Sequence, residues 1–231
     1  TVAQISSPTC SVRVSPADGK MRRFAVQSIR TFVPQGSGPY ECPLVYPSVF
    51  SERQCDRILG LAADLDTDDA RVGDGIADDE HHDEIRRSRV AWLPPEDPFT
   101  WVYDKLATVV RRANRHYDFD LIGFTEDLQF TEYEGAGAFY TWHQDGLDGE
   151  LATRKLSMVV QLSDPDEYEG GALEFFGLDG DETNAAADRR TKMRQRGTVV
   201  TFPAFEYHRI TPLTAGTRRS LVCWVGGPPF R

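Results

Sequence analysis

The stretch that decides the fold is Phe139-Tyr140-Thr141-Trp142-His143-Gln144-Asp145-Gly146, which lies at the end of a predicted β-strand. Side chains alternate between the two faces of a strand, so His143 and Asp145 are expected to point the same way. A further histidine, His208, follows the apolar run 198–202 and its turn. Two histidines and one carboxylate, with open positions opposite them, form a ligand set that suits non-haem Fe(II). The sequence therefore predicts a metal site formed by His143, Asp145 and His208.

A cation stands in an apolar strand shortly after this predicted site. Arg218 lies ten residues beyond His208, at the start of the run that ends Leu221-Val222-Cys223-Trp224. A buried arginine requires an anion to compensate its charge. The anion is either a bound ligand or an acidic side chain of the chain itself. Arg219, its neighbour, is expected to face the opposite side of the strand.

The spacing of these residues closely resembles that of the Fe(II)/2-oxoglutarate-dependent dioxygenases, in their prolyl-4-hydroxylase-like branch. The resemblance covers residues 43–231 and rests on Tyr133, His143-x-Asp145, the run Glu169-Gly170-Gly171-Ala172-Leu173-Glu174-Phe175, and His208 with Arg218. It implies a double-stranded β-helix, which is a relative of the jelly roll. The predicted fold class is therefore mainly β with bracing helices (α+β).

The resemblance also implies a role for each residue of the site. His143, Asp145 and His208 would bind iron, Arg218 would bind the distal carboxylate of 2-oxoglutarate, and Tyr133 and Ser220 would assist it. Gln161, on the strand leaving the site, is a weaker candidate for the same carboxylate. Tyr140 and Trp224 are candidates for the substrate side, although aromatic residues on strands often belong to the core, and Tyr133 could do so as well.

The implied activity is the hydroxylation of an unactivated C–H bond. The cofactors would be Fe(II), with 2-oxoglutarate and O2 as cosubstrates, and succinate and CO2 would be released. The substrate would be an amino acid, a peptide-bound residue or a small metabolite. Asp145 favours hydroxylation over halogenation, because halogenating relatives lack this carboxylate. The alternatives are a zinc hydrolase, a non-catalytic metal- or ligand-binding jelly roll, and a nucleic-acid demethylase.

The amino-acid composition argues against some of these functional classes. The chain has 231 residues, of which 40% are hydrophobic and 27% charged, as is common for a soluble domain. We expect an N-terminal extension at residues 1–40 and a single domain at 41–231. The net charge of −10 disfavours nucleic-acid partners. No apolar run reaches the length of about 18 residues that a membrane helix needs, so a membrane partner is not expected.

Cysteine usage and the first residue bear on the compartment. Cys55 and Cys223 are expected in the core as free thiols, which indicates a reducing cytoplasm. A disulfide between Cys10 and Cys42 remains open. Because the sequence begins with Thr1 rather than methionine, we expect a trimmed N-terminus, and a targeting signal upstream of it would not be visible.

Two helices and a series of strands are predicted along the chain. Ser51 and Gln54 form a capping box at the start of the first helix, and apolar residues spaced three and four apart mark a second helix over 99–117. The strands are predicted at 90–93, 128–133, 138–143, 155–162, 172–176, 198–202, 208–213 and 218–225. Both helices should pack on one face of the sheet. The segment 179–196 is predicted to be an exposed loop.

The segment 64–84 has ten acidic residues and is predicted to be a loop. We interpret it as a mobile lid, with a solvated surface loop as the alternative. A lid of this charge would raise the local concentration of cationic substrates, so the substrate is expected to carry an amine or guanidinium group.

Overall fold

The computed structural model describes residues 40–70, 85–146, 149–178 and 183–229. The predicted extension at 1–40 lies outside the described residues except for Tyr40, and the residues from Glu41 onward form one compact unit. Within the described ranges the α-helices are α1 (Glu52–Ala62), α2 (Thr100–Tyr117) and α3 (Asn184–Arg194). None of the described helices is long and apolar enough to cross a membrane.

Thirteen strands occur in these ranges. They are β1 (Leu44–Tyr46), β2 (Asp68–Asp69), β3 (Arg86–Arg87), β4 (Arg89–Leu93), β5 (Gly123–Phe124), β6 (Leu128–Glu134), β7 (Phe139–His143), β8 (Arg154–Gln161), β9 (Tyr168–Gly170), β10 (Leu173–Phe175), β11 (Val199–Pro203), β12 (His208–Ile210) and β13 (Leu213–Gly226).

The strands form two antiparallel sheets. The larger sheet has the order β1-β11-β8-β13-β6-β4-β2, with β5 and β9 also paired to β13. The smaller sheet has the order β10-β12-β7-β3. Buried residues of both sheets pack together, including Val159 and Phe202 from the larger one and Phe175 and Ile210 from the smaller one. This arrangement confirms the predicted double-stranded β-helix, and it places the site between the sheets.

Helices α1 and α2 pack on the outer face of the larger sheet, as predicted. Ser51 caps α1: its side-chain oxygen accepts a hydrogen bond from the backbone N–H of Gln54. The backbone N–H of Ser51 donates in turn to the side-chain oxygen of Gln54. Buried residues of α1 and α2, such as Ile58 and Leu106, pack with Met158 and Leu221 of the sheet. Cys55 and Cys223 lie in this core, at 0% and 1% exposure. The large sheet is therefore buried on both faces, which fixes the position of its strands.

The prediction of an exposed loop over 179–196 is wrong for most of its length. Thr183 caps α3 by accepting a hydrogen bond from the backbone of Ala186. Ala186 and Met193 are buried, at 2% and 5% exposure. Only these two residues of α3 are buried, so its sequence shows no apolar stripe with a helical period.

Two other boundaries also differ from the prediction. Within the acidic segment, Asp68 and Asp69 form strand β2, which pairs with Val90 and Arg89. Backbone pairing at a sheet edge requires no apolar side chain, so the acidic composition did not reveal it. Residues 71–84, on which the predicted lid depends, lie outside the described residues. At the other end, Leu213 belongs to β13 and not to the strand of His208, because the chain turns after Ile210.

Candidate metal and cosubstrate site

Two neighbouring strands bring the three predicted metal ligands together. His143 is the last residue of β7, and His208 is the first residue of β12; the two are paired across the sheet. Asp145 follows two residues after His143, where its backbone N–H donates to Ala204 O at 2.9 Å. One ligand atom from each of the three side chains lies within 4.8 Å of the others. The sheet register therefore produces the cluster that the sequence predicts.

Both imidazole rings are oriented by the main chain. His143 Nδ1 lies 2.8 Å from Thr141 O, and His208 Nδ1 lies 2.9 Å from Glu206 O. A carbonyl oxygen only accepts hydrogen bonds, so each Nδ1 is the protonated nitrogen. In the neutral ring, the lone pair is then on Nε2, which is the arrangement of a metal-binding histidine.

The Nε2 atoms of both rings face the buried carboxylate of Asp145. His143 Nε2 lies 3.7 Å from Asp145 Oδ1, and His208 Nε2 lies 3.6 Å from Asp145 Oδ2. Burial and the nearby His208 ring lower the pKa of His143 to about 3, so this ring is neutral at ordinary pH. Asp145 Oδ2 is buried without a hydrogen-bond partner in the described part of the chain. Two imidazole nitrogens and a carboxylate that face one another form a ligand set that fits a divalent cation.

Arg218 is held in the same cavity by neutral groups. It is 1% exposed, donates to Gln161 Oε1 at 3.1 Å and Ser220 Oγ at 3.4 Å, and lies 5.5 Å from the ring of Tyr133. No ion pair among the described residues includes Arg218, and its Nε has no hydrogen-bond partner among them. This buried cation is therefore available to an anionic ligand.

Arg219 behaves as the alternation of a strand requires. Its Nε donates to Glu132 Oε2 at 2.7 Å, so it forms an ion pair away from the Arg218 cluster. Adjacent arginines on β13 thus have different roles: Arg219 has a carboxylate partner of the chain, and Arg218 has only amide and hydroxyl acceptors among the described residues.

A cavity of about 1240 Å³ connects the metal ligands with Arg218. Of the predicted residues, those that line it are His143, Asp145, His208, Arg218, Tyr133, Ser220, Tyr140 and Trp224. Gln161 is not among the lining residues, and it contacts the site only through Arg218. A volume of this size exceeds what a single small ligand requires.

Tyr140 and Trp224 occupy different parts of this cavity. The ring of Tyr140 stacks on His143, with centroids 3.5 Å apart, and burial raises the pKa of its hydroxyl. Trp224 is covered by the guanidinium of Arg154, whose Cζ lies 3.8 Å from the ring centroid. Tyr140 therefore contacts one of the candidate metal ligands directly, and Trp224 lines a different part of the cavity.

Sequence reasoning missed three residues around the cavity. Arg86 is buried on β3, Gln129 is buried on β6, and Arg154 forms an ion pair with Glu126. Arg86 lies on a strand of two residues among charged neighbours, so no apolar pattern indicated its burial. The cavity therefore contains a second buried arginine that the sequence analysis did not place there.

Comparisons with known proteins agree with this geometry. Residues 128–226 match the family model described as the 2OG-Fe(II) oxygenase superfamily. A PKHD-type hydroxylase of Azoarcus sp. is 34% identical over 97 residues, covering 38% of this chain and 38% of that protein. A PKHD-type hydroxylase of Teredinibacter turnerae is 30% identical over 129 residues, covering 51% and 52%. The matched segments thus span about half or less of these relatives.

Two solved structures share the fold. A prolyl-4-hydroxylase of Pseudomonas putida aligns with a TM-score of 0.59 at 18% identity, covering 80% of this chain and 92% of that one. A prolyl hydroxylase of Trichoplax adhaerens, in complex with a peptide fragment of the hypoxia inducible factor oxygen degradation domain, aligns with a TM-score of 0.61 at 14% identity, covering 80% and 83%. The segment 128–226 thus matches the 2OG-Fe(II) oxygenase superfamily, and the chain shares its fold with the two prolyl hydroxylases. These comparisons agree with the resemblance to the prolyl-4-hydroxylase-like branch that the sequence motifs carry.

Proposed function

We propose that the protein is an Fe(II)- and 2-oxoglutarate-dependent hydroxylase. The observation that supports this most strongly is the shared cavity, in which the His143–Asp145–His208 cluster and the buried cation of Arg218 lie together. A metal-binding protein without catalysis would have no use for a buried arginine that no carboxylate of the described chain neutralises. When bound, the metal and the cosubstrate supply oxygen activation, with release of succinate and CO2.

The residues of the chain provide geometry and charge. His143 Nε2, His208 Nε2 and the Asp145 carboxylate would hold the metal, because the main-chain bonds to each Nδ1 keep Nε2 directed inward. Three ligands from the chain leave the other positions open to cosubstrate and oxygen. The Asp145 carboxylate also balances part of the charge of the metal.

Arg218 would bind the distal carboxylate of 2-oxoglutarate. Its guanidinium is oriented by Gln161 and Ser220, so little side-chain freedom is lost when the anion binds. Tyr133, whose ring lies against Arg218, would line the same end of the cavity. Arg218, Ser220 and Tyr133 would line the cosubstrate pocket, and Gln161 would support it from behind Arg218.

The reaction is tested by iron-dependent conversion of 2-oxoglutarate to succinate, measured with and without a panel of amino acids, short peptides and small metabolites. We expect one Fe(II) per chain, a slow background conversion, and stimulation by a compound that gains one oxygen atom. The absence of any Fe(II)-dependent succinate from metal-loaded protein would reject the hydroxylase proposal.

The substrate is proposed to be a small molecule or a peptide. A peptide is supported by the fold shared with the Trichoplax prolyl hydroxylase, which was solved with a peptide fragment bound. A cationic group on the substrate is a finer expectation, and it is supported by Asp68 and Asp69, which line the cavity from the edge strand β2.

Neutralising these two carboxylates together, as Asp68→Asn with Asp69→Asn, should raise the KM for a cationic substrate several-fold at low salt. The difference should shrink at physiological salt, where charges are screened over about 8 Å. The measurement is KM against ionic strength for both proteins. Identical salt dependence in both would reject a role for these charges in attracting the substrate.

A further inference from the structure

A second buried arginine lies in the cavity. Arg86 on β3 is 7% exposed, donates from Nε to Ser88 Oγ at 2.7 Å, and donates from a terminal nitrogen to Gln129 Oε1 at 3.1 Å. None of the ion pairs among the described residues includes it. Hydroxyl and amide oxygens orient a guanidinium but do not neutralise its charge.

The surroundings of Arg86 repeat those of Arg218. Each guanidinium donates to a glutamine Oε1 at 3.1 Å, donates to a serine Oγ, and lies against a tyrosine ring. The two tyrosines are Tyr140, at 4.7 Å from Arg86, and Tyr133, at 5.5 Å from Arg218. The cavity thus contains two cationic sites of the same composition.

The two sites are well separated along β6. Gln129, which contacts Arg86, and Tyr133, which contacts Arg218, are on the same face of this strand and four residues apart. At the usual rise of a β-strand the Cα atoms of Gln129 and Tyr133 are about 13 Å apart. Tyr140, which contacts Arg86, also stacks on the metal-ligand candidate His143. An anion at Arg86 would therefore lie beside the candidate metal ligands and would be distinct from the anion at Arg218.

We infer that Arg86, with Gln129 and Ser88, binds a free carboxylate of the substrate. This inference rests on the proposed function, since it assigns Arg218 to the cosubstrate and leaves Arg86 for the molecule to be hydroxylated. An amine on the same molecule would be attracted by the carboxylates of Asp68 and Asp69, which line the same cavity. The substrate class that fits both charges is a free amino acid.

The inference is tested by binding, so that it does not depend on turnover. Calorimetry on the full chain, loaded with Mn(II) and 2-oxoglutarate, would compare free L-amino acids with their primary amides. We expect at least one acid to bind, and its amide to bind about 100-fold more weakly, because the arginine is left without its charged partner. Arg86→Gln should remove that preference, and Arg86→Lys should retain part of it.

Arg111→Gln is the matched control, because it removes the same charge from the exposed face of α2. It should preserve the preference for the acid, and the affinity of both variants for 2-oxoglutarate should change less than about twofold. If no acid binds, if acids and amides bind alike, or if Arg86→Gln retains the preference, the assignment is overturned. If an acid binds but the protein forms no succinate, the hydroxylase proposal fails while the carboxylate site stands.

Discussion

The Asp145→Ala protein is expected to lose Fe(II)-dependent turnover by more than about 100-fold, since even groups that only orient a metal ligand cost about 10- to 100-fold when removed. Asp145 is the single carboxylate of the cluster, and its Oδ2 has no hydrogen-bond partner in the described part of the chain. The metal would keep only the rings of His143 and His208 as ligands. Iron content and succinate formation should therefore fall together.

The fold should survive this change, because Asp145 lines the cavity and belongs to neither of the apolar clusters that hold the sheets and helices together. Asp188→Ala is a suitable control: it removes an exposed carboxylate on α3 that pairs with Lys192. Both variants should unfold at nearly the temperature of the wild type. Asp145→Asn, which keeps the shape of the side chain, provides a second variant if the alanine protein is unstable. Full iron-dependent turnover in either Asp145 variant would show that the ligand assignment is wrong.

The second large effect is expected from Arg218→Ala, which should weaken 2-oxoglutarate binding specifically. Removing one partner of a desolvated ion pair costs about 3–5 kcal/mol, which corresponds to a loss of affinity of more than about 100-fold. Iron binding should be retained, because Arg218 is not part of the His143–Asp145–His208 cluster. The measurement is the dissociation constant of 2-oxoglutarate for the metal-loaded protein.

The adjacent residue offers a matched control. Arg219→Ala removes an equal charge from β13, but it breaks only the pair with Glu132, in which the arginine side chain is 35% exposed. Such pairs contribute about 0–1 kcal/mol, so the affinity for 2-oxoglutarate should change little. Arg218→Lys, which keeps the charge without the forked donors, should give an intermediate affinity. An unchanged dissociation constant in Arg218→Ala would return Arg218 to a structural role.

The set of metal ligands could be predicted from the sequence because strand geometry is regular. Residues two apart on a strand face the same way, so His143-x-Asp145 predicted a shared direction. What the spacing alone did not establish is that His208 pairs with His143 across β7 and β12, since register depends on tertiary packing. His208 was predicted because it completes the set of two histidines and one carboxylate, and the register between β7 and β12 accounts for its position.

Other features were hidden for identifiable physical reasons. Helix α3 is anchored by Ala186 and Met193 amid polar residues, so no apolar stripe indicated it. Strand β2 forms through backbone bonds between Asp68–Asp69 and β4, which side-chain composition does not report. Arg86 gave no signal in the sequence, because its burial depends on Gln129 from a strand more than forty residues away. Helix α3, strand β2 and the burial of Arg86 all depend on contacts between residues that are far apart in the sequence.

The measurement that tests the central claim most directly is a crystal structure of the protein with Mn(II), as a substitute for Fe(II), and 2-oxoglutarate. The account predicts one metal ion bound by His143, Asp145 and His208, with the distal carboxylate of 2-oxoglutarate on the guanidinium of Arg218. A metal ion bound elsewhere, or a cosubstrate carboxylate that does not contact Arg218, would contradict it.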